Sequence, residues 1–161
     1  MTVELITRYV KILIAFVLLW TGVWFFNNFG CSRVEGPEMA PAIPPEKNAM
    51  IDPKVRQPQD LRRDDVVAYV YDIGGKGASR RVTARVVGLP GDRVKLVKGD
   101  VYVNGEKAGV TTEKKVVEDY AEIIVPRNTV FMLCDNRSGA KGLDSRTLGP
   151  VGYWAIMGKL R

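Results

Sequence analysis

Few residues of this chain stand out as able to make or break bonds. They are the hydroxyls of Ser32, Ser79, Ser138 and Ser145, the thiols of Cys31 and Cys134, and the carboxylate of Glu38 inside "VEGPEMAPAI" (34–43). The chain contains no histidine, which removes triads with a His base, His-ligated zinc and imidazole pH switches. A glutamate in that position can serve as a base for water if an arginine holds the oxyanion. The plainer readings are an exposed acid on a loop, or an ion-pair partner for Arg85 or Arg137 within ~3 Å. Cys31 and Cys134 lie far apart and match no metal spacing, which leaves two lone thiols or one disulfide. "GGKG" (74–77) reads as a flexible turn, because no helix follows it to make a phosphate site.

The formal charge of +6 suits a solvated surface with some preference for anionic headgroups. No basic run exceeds two residues, so nucleic acid is not an expected partner. No cofactor and no metal are expected.

The elements that must position these groups follow from hydropathy and turn signals. A length of 161 residues suits one domain with an anchor or extension. "ILIAFVLLWTGVWFF" (12–26) carries no charge, Trp20 and Trp24 cluster toward its end, and Arg8 and Lys11 flank its start. Extended outward to Tyr9 and Phe29, it reads as a transmembrane helix with a cytoplasmic N-terminus. A cleaved signal peptide is the rival reading, and Asn28 stands where a lipoprotein box wants Leu. The expected organisation is a cytoplasmic N-terminus (1–8), a single-pass signal anchor (9–29), a Pro-rich connection (30–60) with the "EMAP" stretch, and a β domain (61–161) on the periplasmic or extracytoplasmic side of a bacterial inner membrane.

In the connection, prolines 37, 41, 44, 45, 53 and 58 predict extended, irregular chain with one short strand near 49–51. Beyond it, "VVAYVY" (66–71), "RVTARVVGL" (81–89), "RVKLV" (93–97), "VYV" (101–103), "EIIV" (122–125) and "TVFMLC" (129–134) are short, β-branched or aromatic, and bounded by turn residues. Gly99-Asp100 and Asn104-Gly105 are two-residue hairpin signals. The charged stretch 113–122 predicts a surface loop, and "GYWAIMGKLR" a return to β. The fold class is mostly β, an antiparallel meander with one N-terminal helix.

Three blocks in order carry more than composition: "RRDDVVAYVY" (62–71), "RVVGLPGDRVKL" (85–96) running into "VYVNG" (101–105), and "CDNRSGAKGLDSRTLGPV" (134–151). They resemble the successive boxes of bacterial type I signal peptidases. "EMAP" resembles that family's nucleophile box, S-M-x-P. The resemblance implies a mostly β domain on the outer face of a membrane, in a family that removes signal peptides with a serine nucleophile and a lysine base. A serine hydroxyl is weak at neutral pH, so a base must take its proton. A lysine can do so only when burial leaves it neutral.

Residue by residue, the matched positions depart from that chemistry. The serine position is Glu38 and the lysine position is Ala84. Pro37 replaces a glycine, Gly36 has no side chain to donate to an oxyanion, and Gly142 stands where the family has serine. The framework matches at Met39, Pro41, Arg85, Gly88, Pro90, Gly91, Asp92, Asp135, Asn136, Arg137, Asp144, Ser145 and Arg146. The resemblance further implies that Arg85 pairs with Asp135. These departures lead to the expectation of a pseudoenzyme with no catalytic residues, serving as a structural subunit of an integral-membrane protein complex. Pilus or secretion assemblies, respiratory complexes and photosynthetic complexes would all suit it. The alternatives are an assembly chaperone for extended or signal-like peptides, and a peptidase with a non-standard site.

Overall fold

The computed structural model describes residues 3–28, 30–55, 58–72, 79–109, 119–140 and 142–161, without the side chains at 26–28, 31, 32 and 58. The "GGKG" turn and most of the charged stretch after 113 fall outside these residues. A long helix, α1 (Val3–Asn28), precedes the β elements. Its side chains stay exposed along its length, from Val3 to Phe25. No proline interrupts it, and its leucines lose little rotamer freedom in a helix.

The strands are β1 (Gly30–Arg33), β2 (Asn48–Asp52), β3 (Val66–Asp72), β4 (Ser79–Gly88), β5 (Arg93–Val97), β6 (Asp100–Val103), β7 (Glu106–Lys107), β8 (Tyr120–Ile124), β9 (Thr129–Leu133), β10 (Val151–Gly152) and β11 (Ile156–Leu160). They form one sheet in the order β1-β2-β11-β3-β4-β9-β10 and a smaller one in the order β7-β6-β5-β8. Every pairing is antiparallel. The fold is the mostly β architecture expected, with one departure from a simple meander. The C-terminal strand β11 inserts between β2 and β3, so the Pro-rich connection is tied into the sheet at both β1 and β2.

Alternation sets the two cores. On β4, Val82, Ala84 and Val86 face a core with Val67, Tyr69, Val130, Met132 and Cys134. On the opposite face Val87, Phe131 and Leu133 meet Val94, Leu96 and Val101 of the smaller sheet. Strand β9 is therefore buried on both faces, which explains its unbroken apolar run. Gly88 lies at the junction: a Cβ there would stand 2.6 Å from Val94 Cγ2, so only glycine allows the sheets to meet this closely.

Several boundaries shift. The β5–β6 hairpin turns on Lys98 and Gly99, both at positive φ, one residue earlier than the Gly99-Asp100 expectation. Asn104 and Gly105, both at positive φ, make the β6–β7 turn as expected. β8 begins at Tyr120, inside the expected loop, because Tyr120 packs edge-on to Phe131 at 5.3 Å.

The transmembrane expectation is corrected. Among the described residues, no helix is long and apolar enough to cross a membrane. The apolar run Ile12–Phe26 holds 15 residues and advances ~22 Å, short of the ~30 Å hydrocarbon core. Lys11 interrupts its extension toward Tyr9, and Asn27 and Asn28 interrupt it toward Phe29.

Candidate functional site

The Val34–Ile43 loop returns on itself through hydrogen bonds from the Val34 N–H to the Lys47 carbonyl and from the Ile43 N–H to the Met39 carbonyl. Pro37–Met39 forms one 3-10 turn. Pro37 suits its first position, where a missing N–H costs nothing. Met39 is fully buried and anchors the turn. The loop docks on the third box: the Asn136 N–H donates to the Glu38 carbonyl at 2.8 Å, and Asn136 Nδ2 to the Pro37 carbonyl at 3.1 Å. The peptide bond between Ala40 and Pro41 is cis.

Glu38 is 1% exposed, so the reading of an exposed loop acid is wrong. Its Oε1 accepts from Arg80 Nη2 at 2.7 Å. The ion pair was expected with Arg85 or Arg137; the structure supplies Arg80 in their place. Alternation explains the choice. Arg80 is four residues before Ala84 on β4, so both project from the same face, toward the loop. Arg85 projects to the opposite face and is already engaged. A carboxylate taken out of water needs a partner, and Arg80 is the guanidinium whose stem can reach it.

Gly36 completes the arrangement. A Cβ on it would lie 2.3 Å from both Glu38 carboxylate oxygens, so the missing side chain is what lets the carboxylate fold back over the loop. Ala84 is fully buried and brings no amine to the site. Tyr69 and Cys134 border it. Burial, followed by the negative charges of Asp144 and Glu38 among others, pushes the Cys134 thiol well above its usual range. Burial likewise drives the Tyr69 phenol up, with Cys134, Asp144 and Glu38 adding to it. Both groups stay neutral, and the Tyr69 hydroxyl donates to the Leu143 carbonyl.

The framework residues hold this site from behind. Arg85 grips Asp135 with two hydrogen bonds, Nε to Oδ1 at 2.8 Å and Nη2 to Oδ2 at 2.6 Å. This is the pair that the resemblance implied, and the hydrogen bonds that Arg85 donates to Asp135 raise the Arg85 pKa. Asp144 caps the short helix α2 (Ser145–Leu148), receives the Cys134 N–H at 3.3 Å and pairs with Arg146 at 3.0 Å. The Ser145 hydroxyl accepts the Met132 N–H at 2.9 Å, so this buried serine is committed to structure. Arg137 Nη1 donates to the Gly99 carbonyl at 2.5 Å, tying the third box to the β5–β6 turn. Gly142, at φ 79°, sits beside Thr147 in the turn before α2.

The "LPGD" turn is pinned by Asp92. Its carboxylate accepts from the Leu89 N–H, from Asn104 Nδ2 and from Arg63 through two nitrogens. Pro90 and Gly91 form the bend between them, Gly91 at positive φ. Among the described residues no group of His, Cys, Asp or Glu is placed to hold a metal. Cys134 is a free, buried thiol, while the Cys31 side chain lies outside the described residues. Ser138 donates to Asn136 Oδ1 at 2.9 Å, and Ser79 begins β4.

Sequence reasoning missed Arg80 altogether, although a signal was available. Arg80 and Ala84 share strand parity within "SRRVTARVVG", so a charge lost at one position can be answered from the other.

The family model described as "Signal peptidase, peptidase S26" matches residues 6–161. Signal peptidase I U of Bacillus subtilis is 27% identical over 145 residues, covering 84% of this chain and 73% of that protein. Signal peptidase I T of the same species is 28% identical over 137 residues, covering 78% and 68%. Signal peptidase I of Bacillus amyloliquefaciens is 26% identical over 124 residues, covering 70% and 63%. A solved signal peptidase I from Enterococcus faecalis V583 superposes with a TM-score of 0.49 at 25% identity, covering 63% of this chain and 97% of that one.

These findings correct the expectation that the chain is not an enzyme. The relatives bear the name of signal peptidase I and the matching model is a peptidase model, and neither indicates lost activity. Two side chains tell what chemistry their own positions lack; they do not speak for the whole chain. What the structure establishes is narrower: Glu38 offers no hydroxyl and Ala84 no amine, so no Ser–Lys dyad forms there. With the model covering nearly the whole chain, this protein belongs to the signal peptidase family, peptidase S26.

Proposed function

We propose that this signal-peptidase-like protein works as an accessory subunit of a larger membrane complex, with its β domain on the extracytoplasmic side. The observation that carries this reading is Glu38, buried at the position that resembles the family's nucleophile and paired with the partly exposed Arg80, beside the Arg85–Asp135 and Arg146–Asp144 pairs. A carboxylate held by a guanidinium stabilises the loop's shape. A second support is α1. Its Leu13, Phe16, Leu18, Leu19 and Trp20 are all more than half exposed, a larger apolar surface than a monomer leaves to water. Helices of a partner or the bilayer surface would cover it; pilus, secretion, respiratory and photosynthetic assemblies all provide such surroundings.

The test is purification of the tagged full chain in mild detergent, with identification of what stays bound. The reading expects membrane proteins retained in fixed ratio, and their loss when Leu13 and Leu18 are changed to glutamate. A chain that elutes alone would overturn it.

A further inference from the structure

Asparagine is among the chemically labile residues, and Asn104 is the only asparagine in the sequence followed by glycine. Gly105 leaves its backbone nitrogen unshielded, since even a Cβ added to it would meet nothing within 4 Å. We propose that Asn104-Gly105 is a self-modification site, where the chain converts its own asparagine to aspartate or isoaspartate, and that Asp92 restrains the conversion. The reaction consumes only water. The Gly105 nitrogen attacks Asn104 Cγ and gives its proton to solvent; a C–N bond forms, the Cγ–Nδ2 bond breaks, and Nδ2 takes a proton and leaves as ammonia. Water then opens the cyclic imide at either carbonyl, with no change of oxidation state. This goes beyond the accessory role and does not depend on it.

The β6–β7 turn holds the amide away from that reaction. Asn104 Oδ1 accepts the Arg93 N–H at 2.9 Å, and Nδ2 donates to Asp92 Oδ1 at 2.9 Å. Asp92 is buried and is itself gripped by Arg63 at 2.6 Å and by the Leu89 N–H at 2.8 Å, so the acceptor is fixed. To bring Cγ onto the Gly105 nitrogen the amide has to leave both partners, and the reaction waits for local opening of the turn. The product cannot resume the arrangement. An aspartate at 104 sets a carboxylate oxygen where Nδ2 stood, so two ionised acceptors face each other with no proton between them. An isoaspartate lengthens the backbone of the turn by one atom, against the register that pairs Val94 with Val103. Either product weakens the hold on Asp92, which joins Arg63, ahead of β3 in the larger sheet, to β5 and the β6–β7 turn of the smaller one. One converted residue therefore loosens the joint between the sheets.

The test holds the full chain in mildly alkaline buffer, folded and in urea, and follows conversion at each asparagine by peptide mass and by enzymatic methylation of isoaspartate. The unfolded chain should convert at Asn104 before its other asparagines, and the folded chain should convert there at least about tenfold more slowly. Asp92→Ala should raise the folded rate at least about fivefold. Arg63→Gln, which loosens the same turn but leaves Asp92 on the amide, should raise it less. If Asp92→Ala does not fold, the parent alone still decides the restraint, and Asn104→Asp decides the consequence. Its urea midpoint should lie below the parent's at neutral pH, and the gap should narrow below about pH 4, where carboxylates take up protons. Equal rates in the folded and unfolded parent, earlier conversion at another asparagine, or equal acceleration by Asp92→Ala and Arg63→Gln would each overturn the proposal. So would an Asn104→Asp chain as stable as the parent.

Discussion

A Cβ on Gly36 would lie 2.3 Å from both carboxylate oxygens of Glu38, so these two residues occupy one space between them. Gly36 itself has an extended backbone, φ −135° and ψ 175°, which any residue adopts. Substitution there therefore reports the contact with Glu38 and not backbone strain. Gly36→Ala should cost about 1–3 kcal/mol, as overpacking does. Combining it with Glu38→Ala should cost less than the sum by at least ~0.5 kcal/mol. Urea unfolding of the four proteins measures this, and strict additivity would show that the two side chains do not compete.

Much of the fold was legible because its strands are short, β-branched and bounded by turn residues. β5 matched its expected residues and β6 differed by one, since both lie between a Gly-containing turn and a second turn. The remainder depended on contacts that local patterns do not record. β1 (Gly30–Arg33) has no β-rich composition; it is a strand because β2 offers it four partners. The insertion of β11 between β2 and β3 joins residues more than a hundred positions apart. At the site, the identity of position 38 was readable while its burial was not. The family-matched arginines Arg85 and Arg137 are engaged by Asp135 and the Gly99 carbonyl, and the fold provides Arg80 from outside those boxes.

Asp92 predicts an acid-sensitive step. Burial alone would raise its pKa, but hydrogen bonds from Arg63, the Leu89 N–H and Asn104 outweigh it, and the folded pKa falls below the usual carboxylate range. The unfolded chain, with an ordinary carboxylate near ~3.9, then takes up the proton first as pH drops. The stabilisation is complete above that value and is lost as pH falls through the folded pKa. Asp92→Asn should therefore lower stability at neutral pH, and the gap between variant and parent should narrow below about pH 4. Urea midpoints across pH 2–7 test this; a gap independent of pH would contradict it.

Cys134 should be chemically silent in the native protein. It is fully buried, and burial with the charges of Asp144 and Glu38 holds its thiol well above the usual range. The thiolate is the reactive form. In a Cys31→Ala background, labelling by an aromatic disulfide at pH 8 should run at least about a hundredfold slower than in urea. Labelling at the rate of an exposed thiol would show that the site beside Glu38 opens to solvent.

Glu38 and Arg80 act as a pair, and a double-mutant cycle in urea measures that directly. Arg80 is partly exposed, so each single change, Glu38→Gln or Arg80→Gln, should cost roughly 2 kcal/mol, below the ~3–5 of a fully buried pair. The double variant should cost little more than either, giving a coupling of about 1–2 kcal/mol. Costs that add within ~0.3–0.5 kcal/mol would show that the two residues do not hold each other, and would contradict the account.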